Sequence, residues 1–269
     1  MFPSVAGLIR YVPFLGAISQ NVVALRRGTN HQARPIIVTA HLDTHPTAER
    51  PMRRAHVAAG TISGVVALMG AVIGGPGIAG SRWLAAFVAA EAVGTLGWLA
   101  RRELTTPSKQ PDDNTSGLIA IMRLAELLAV SEPKHDVWLV ATGAGTPGSF
   151  GVTSFLRRHR DIRDAWVVDV DALGTGEVVA SPIPARLPHP GTPPILSRTV
   201  AAAARASGDP LSIRRVRLSH SDARAALRKR QPAIALTGGL RPLAGGGGPD
   251  PANAERIARV IDRMARLDF

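Results

Sequence analysis

Three acid-rich stretches of this sequence hold residues with chemistry in them. His41-Leu42-Asp43 sets an imidazole two residues ahead of a carboxylate. At that spacing the His can ligate a metal ion while Asp43 orients its ring from behind, and His45 is a spare donor nearby. Pro111-Asp112-Asp113-Asn114-Thr115-Ser116-Gly117 gathers two carboxylates and three short polar side chains. Taken alone it is an N-cap, because Asp, Asn, Thr and Ser satisfy the free N–H groups of a first helical turn. Asp169-Val170-Asp171-Ala172-Leu173-Gly174 offers two further carboxylates, and alone it is an acidic turn closing a strand. The chain has no cysteine, so thiolate nucleophiles, Cys-ligated zinc and disulfides are excluded.

Sites on α/β sheets collect at the carboxyl ends of strands, so the elements around these stretches matter. Short apolar runs at 22–25, 36–40, 137–141, 165–170 and 233–236 predict strands inside a covered sheet. Helical patterns occupy 118–129, 149–158, 195–206, 222–229 and 252–267. This alternation predicts an α/β domain with helices on both faces of the sheet. The Pro-rich 182–194 and the glycine-rich 245–249 read as loops. The apolar stretch 5–18 is broken by Arg10, Pro13 and two glycines. It has neither the charge cluster nor the cleavage site of a signal peptide and is too short to span a bilayer, so an interfacial or core-packing segment is expected.

At roughly 150 residues per domain, 269 residues make one large domain or two small ones. A hydrophobic share of 45% against 19% charged supports a sizeable core. The charge, 32 − 20 = +12, suits a polyanionic partner. Aromatic residues make up only 4%, with a single Tyr, which leaves no platform for base stacking and makes nucleic acid an unexpected partner. Arg214, Arg215, Arg217, Arg224, Arg228, Lys229 and Arg230 form a local basic cluster. It is either a polyanion-binding face or the solvated surface of an Arg-rich chain.

One region departs from the α/β pattern. Residues 55–81 contain no Asp, Glu, Lys or Arg and enclose Gly74-Gly75-Pro76-Gly77, and 83–100 is a second apolar run with one acid, Glu91. Two such arms predict a transmembrane helical hairpin over 55–102, each arm near the short end of the roughly 17–25 residues a span needs. Trp83 and Trp98 sit where interfacial aromatics belong. Gly60 and Gly64, Gly70 and Gly74, and Ala86, Ala90 and Gly94 recur at the four-residue spacing that lets helices approach in lipid. Glu91 opposes the reading, since a mid-span carboxylate costs roughly 2.5–3.5 kcal/mol; a buried or surface-lying helix pair is the alternative. Arg50, Arg53, Arg54, Arg101 and Arg102 flank the arms while the turn carries only Arg82, which places both ends in the cytoplasm.

In this order the motifs resemble a known family. The chain is similar to the zinc aminopeptidases with a co-catalytic zinc pair, the family of bacterial leucine aminopeptidases, glutamate carboxypeptidase and glutaminyl cyclase. The resemblance rests on Asn21-Val22-Val23-Ala24, Ala40-His41-Leu42-Asp43, Asp112-Asp113-Asn114-Thr115-Ser116-Gly117, Ala141-Thr142-Gly143-Ala144, Asp169-Val170-Asp171-Ala172-Leu173-Gly174 and Ser221-Asp222. It covers about residues 20–55 and 105–269. It implies a three-layer αβα sandwich with a mostly parallel, mixed central sheet, made of 1–54 and 103–269, with 55–102 inserted. By the resemblance His41 is a zinc ligand with Asp43 behind it, Asp113 bridges two zinc ions, and Asp171 ligates the second.

The remaining family positions have changed. Where the family carries two glutamates, a general base and a zinc ligand, this chain has Gly145 and Thr146. Where the family's Ser-Asp-His supplies a last zinc ligand, it has Ser221-Asp222-Ala223. His220 is either a substitute ligand or a surface His at a helix start. A zinc pair needs anionic ligands and a bridge, and catalytic zinc usually keeps three protein ligands, so zinc binding is expected to be weak or absent. Loss of the base removes roughly 10²–10⁴-fold of rate.

Three readings follow. The first is a membrane-anchored, peptidase-like protein with an eroded metal site and a binding or scaffold role toward a peptide or protein partner. The second is an active metallopeptidase using a reduced site at His41, Asp113 and Asp171. The third is a basic protein acting on anionic lipid or nucleic acid, which a salt-dependent binding slope would expose.

Overall fold

β-Branched and aliphatic runs build the core of this molecule. The computed structural model describes residues 19–42, 90, 94, 114–144, 149–174, 176–186, 188–216, 221–238 and 250–269. The chain divides into two units, Met1–Thr44 with Lys109–Phe269, and His45–Ser108. In the second unit only Ala90 and Gly94 are described, both helical. The expected hairpin over 55–102 otherwise lies outside the described residues, as does 5–18. Among the described residues no helix is long and apolar enough to cross a membrane.

The first unit is built on one sheet of seven strands: β1 (Val22–Arg26), β2 (Ile36–His41), β3 (Val137–Thr142), β4 (Trp166–Asp171), β5 (Val178–Ser181), β6 (Ser212–Ile213) and β7 (Ala233–Gly238). Their order across the sheet is β1-β3-β2-β4-β7-β5-β6. β1 runs antiparallel to β3, and β5 antiparallel to β7; the remaining pairs are parallel. The fold is therefore mixed α/β with a mostly parallel sheet. Between the strands come α1 (Asn114–Val130), α2 (Phe150–Arg158), α3 (Pro194–Ala206), α4 (Asp222–Arg228) and α5 (Pro251–Met264).

Strand alternation sorts the side chains into two cores. Ile36, Val38, Val168 and Val170 face Leu124 and Leu128 of α1, Val200 of α3 and Ile257 of α5. Ile37, Val140 and Val167 face Val152 and Phe155 of α2 and Ala226 and Leu227 of α4. Layers on both faces follow, as the alternation predicts.

Two features differ from the sequence expectation. β1 is an edge strand rather than a buried one, with Val22 63% and Val23 41% exposed; an edge strand can be apolar in sequence without being covered. β5 and β6 were not foreseen. They have four and two residues, too short for an alternation to register.

Gly117 explains how the polar turn before α1 meets the sheet. A Cβ there would lie 2.5 Å from the Val170 carbonyl oxygen and 3.1 Å from Ala40 Cβ. Ser116 beside it accepts a hydrogen bond from the Leu173 amide at 2.9 Å. Together they dock the start of α1 against the carboxyl ends of β2 and β4.

Candidate functional site

β2 ends on His41, β4 carries Asp169 in register with Thr39, and β3 ends on Thr142 opposite His41. Ile37, Val140 and Val167 fix which face is which, so Thr39, His41, Thr142 and Asp169 all lie on the face covered by α2 and α4. α4 starts there, after Ser221, with Asp222 at its first position. His41, Asp169 and Asp222 are all buried, and each offers one ligating atom within 4.8 Å of the others'.

Asp169 is a brace. Its Oδ1 accepts from the Thr39 hydroxyl at 3.0 Å. Its Oδ2 accepts from the Ser221 hydroxyl at 2.6 Å and from the Ala223 amide at 3.2 Å. A helix start leaves amide N–H groups unsatisfied, and here a carboxylate from the neighbouring strand meets one of them. The anion also lies at the positive end of the α4 dipole, where it is favoured.

Asp222 is differently placed. Its Oδ2 accepts from the Thr142 hydroxyl at 2.7 Å and lies 3.7 Å from His41 Nδ1. Its Oδ1 is buried and has no hydrogen-bond partner among the described residues. Burial raises its carboxyl from 3.8 to about 6, and the Asp169 charge adds to this; His41, Thr142 and Ser149 pull the other way.

Thr142 links the imidazole to this carboxylate. Its Oγ1 lies 3.2 Å from His41 Nδ1 and 2.7 Å from Asp222 Oδ2. A hydroxyl has one proton and two acceptor lone pairs. If that proton goes to Asp222, its shorter contact, the oxygen is left to accept from Nδ1–H of His41. That tautomer carries the imidazole lone pair on Nε2, one of the two ring nitrogens through which a His can ligate a metal.

Of the positions that the resemblance assigns to a zinc pair, His41, Asp171 and Ala223 are among the described residues. The position corresponding to the last His ligand is Ala223, whose methyl is fully buried in the apolar layer between α4 and the sheet. The buried His41, Asp169 and Asp222 cluster is compatible with a single cation. One imidazole and two carboxylates are a donor set that zinc accepts, and Asp222 Oδ1 is a buried acceptor for which no donor is described.

The expected site residues divide accordingly. His41 is at the centre of the cluster. Asp171 ends β4 on the same face, in register with Thr237, but does not belong to the three-residue group. Asp43, Asp113, Gly145 and His220 lie outside the described residues. The sequence reading missed Asp169 and Asp222 as partners of His41. The available signal was the two-residue spacing of Asp169 and Asp171, which puts both carboxylates on one face of β4. The basic cluster is divided: Arg228, Lys229 and Arg230 are exposed at the end of α4, and Arg214 and Arg215 follow β6. Arg224, half-buried on α4, has its guanidinium pKa lowered by burial and by the charges of Arg186 and Arg228.

No protein-family model and no curated protein sequence matches this chain. Its fold matches solved structures. One is a zinc aminopeptidase from Bacillus subtilis, at 14% identity and TM-score 0.55, covering 91% of this chain and 49% of that one. Another is an aminopeptidase from Aneurinibacillus sp. strain AM-1, at 12% identity and TM-score 0.54, covering 91% and 46%. A third is the Legionella pneumophila LapA aminopeptidase, at 14% identity and TM-score 0.52, covering 92% and 58%. The chain spans about half the length of these structures. At such identity the likeness is one of fold.

Proposed function

We propose that this chain is a peptidase-fold protein that has given up hydrolysis and serves as a binding or scaffold subunit for a peptide or protein partner. It is held at a membrane through residues 55–102, with the α/β domain on the cytoplasmic side. The observation that carries the loss of hydrolysis is Ala223. Its methyl is 0% exposed in apolar packing, and its amide is committed to Asp169. The space a ligating imidazole would take is therefore filled. The sequence supports the same conclusion at Gly145 and Thr146, which stand where the resemblance calls for a base and a ligand. The membrane reading is supported by the two uncharged arms and their arginine flanks.

When bound, zinc in such folds polarises a carbonyl and supplies a nucleophilic water. The residues of this chain do other work. Asp169 braces a helix start, and Asp222, 0% exposed, is out of reach of a substrate amine. A second reading, hydrolysis at a reduced site of His41, Asp113 and Asp171, is favoured by one observation. β2 and β4 are adjacent and parallel and bring His41 and Asp171 to the same sheet end.

The test is an aminoacyl-anilide screen on the full chain, purified in mild detergent from zinc-supplemented cells. No hydrolysis above that of a His41→Ala variant is expected. Hydrolysis that His41→Ala and Asp171→Ala abolish would overturn the proposal in favour of the second reading. Retention in the pellet after alkaline carbonate washing is expected as well; release into the supernatant would remove the membrane anchor.

A further inference from the structure

The structure assigns a single, closed cation site to His41, Asp169 and Asp222, with Thr142 as its positioning residue and stabilisation of the fold as its role. It deepens the functional reading above and rests on it only in taking the family's zinc pair as lost. Two of the three ligands, Asp169 and Asp222, are not the residues that the family resemblance names.

The argument is geometric. All three side chains come from elements that meet at the carboxyl ends of β2 and β4, and they are 4%, 0% and 0% exposed. Their ligating atoms lie within 4.8 Å of one another. Zinc bonds of about 2.0–2.1 Å would require them to close in by roughly an ångström, a shift within the reach of side-chain torsions. Among the described residues Asp169 Oδ1 accepts from the Thr39 hydroxyl alone, which leaves it a lone pair. Asp222 Oδ1 is the second, independent sign: a fully buried carboxylate oxygen with no donor described. Leaving such an oxygen without a partner is costly, and a cation satisfies it.

Enclosure decides the role. Catalytic zinc keeps an open position for water or substrate, whereas structural zinc is closed by four ligand atoms, a count that these three side chains reach when one carboxylate binds through both oxygens. Here the ligands are shut between the sheet and α2 and α4. They also tie three elements together, since His41 is on β2, Asp169 on β4 and Asp222 on α4. A cation held there stabilises the folded state in proportion to its affinity.

Thr142 acts through His41. Its Oγ1 lies 3.2 Å from His41 Nδ1 and 2.7 Å from Asp222 Oδ2, so it holds the imidazole and the carboxylate in place relative to each other. Removing such an outer partner typically weakens metal binding about 10–100-fold.

The test uses Zn²⁺ alone on the full chain in mild detergent, stripped with a chelator and reloaded. Elemental analysis is expected to find one zinc per chain. Thermal unfolding is expected to shift upward by at least about 5 °C at saturating zinc. Asp222→Asn should abolish the shift. Thr142→Val should weaken zinc affinity about 10–100-fold and Thr142→Ser should restore it, a rescue that a purely packing role of Thr142 would not require. Absence of any shift in the stripped wild type, a shift that persists in Asp222→Asn, or a stoichiometry of two would overturn the assignment. Hydrolysis by the wild type would instead sink the functional reading and leave this site standing, so the two failures are distinguishable.

Discussion

Asp222 and Ala223, neighbours in sequence, bear opposite burdens at the sheet end. Asp222 carries a carboxyl raised from 3.8 to about 6 by burial. The unfolded chain releases that proton at lower pH than the folded one, so between about pH 4 and 6 the folded state holds more protons. Stability of the metal-free protein therefore falls as pH rises through that window. The full effect is no more than about 3 kcal/mol. Urea unfolding of the stripped protein near pH 4.5 and near pH 7 should show this difference, and Asp222→Asn should lose it. Ala223 is the reverse case, a small side chain in a filled space. Ala223→His should not recreate the family's ligand. It should lower stability by about 1–3 kcal/mol through overpacking, with no added zinc, as melting and elemental analysis would show. The site was legible in sequence only in part. His41 stood out because a strand and an Asp bracket it, but of the two acids closing β4 the resemblance pointed to Asp171 and not to Asp169. Asp222 could be taken for an ordinary first-turn acid, because nothing local reveals that α4 points its start at β2.

Elements were easier to read than their neighbours. Buried central strands such as β2 and β4 are apolar without interruption, and α5 begins with an Asp250 cap on the Ala252 amide at 2.9 Å, followed by Pro251. Such signals are local, so they survive in one dimension. Partnership across the sheet is not local: no pattern in 22–25 separates an edge strand from a covered one, and the two residues of β6 acquire their strand identity from β5 alone. At this scale Gly117 makes a clear test. Alanine has better helix propensity than glycine by about 1 kcal/mol, so on propensity alone Gly117→Ala should stabilise α1. The added Cβ would meet the Val170 carbonyl oxygen at 2.5 Å, and backbone cannot move aside cheaply. The clash should win, with a net loss of about 2 kcal/mol or more in denaturant melts and α1 displaced from β4.

The whole α/β unit hangs on the order of its strands. β7 sits at 233–238 in the chain, yet in the sheet it lies between β4 and β5. During synthesis the carboxyl-terminal part therefore has to arrive before the middle can close. Until it does, β4 offers an unpaired apolar edge and β5 has no antiparallel neighbour, which is the kind of exposure that invites wrong partners. Fragments ending before Ala233 should thus be insoluble or chaperone-bound when expressed, while fragments extending through α5 should recover in the soluble or detergent-extracted fraction; equal solubility of the two would count against this. The order of the sheet also makes this a molecule of long-range contacts, slow to fold by its topology. Translation sets a timetable for it: the nascent chain must be sheltered for most of its length, and its last strand works as the closing stave of a barrel-maker's hoop, inserted at the end to hold the others in place.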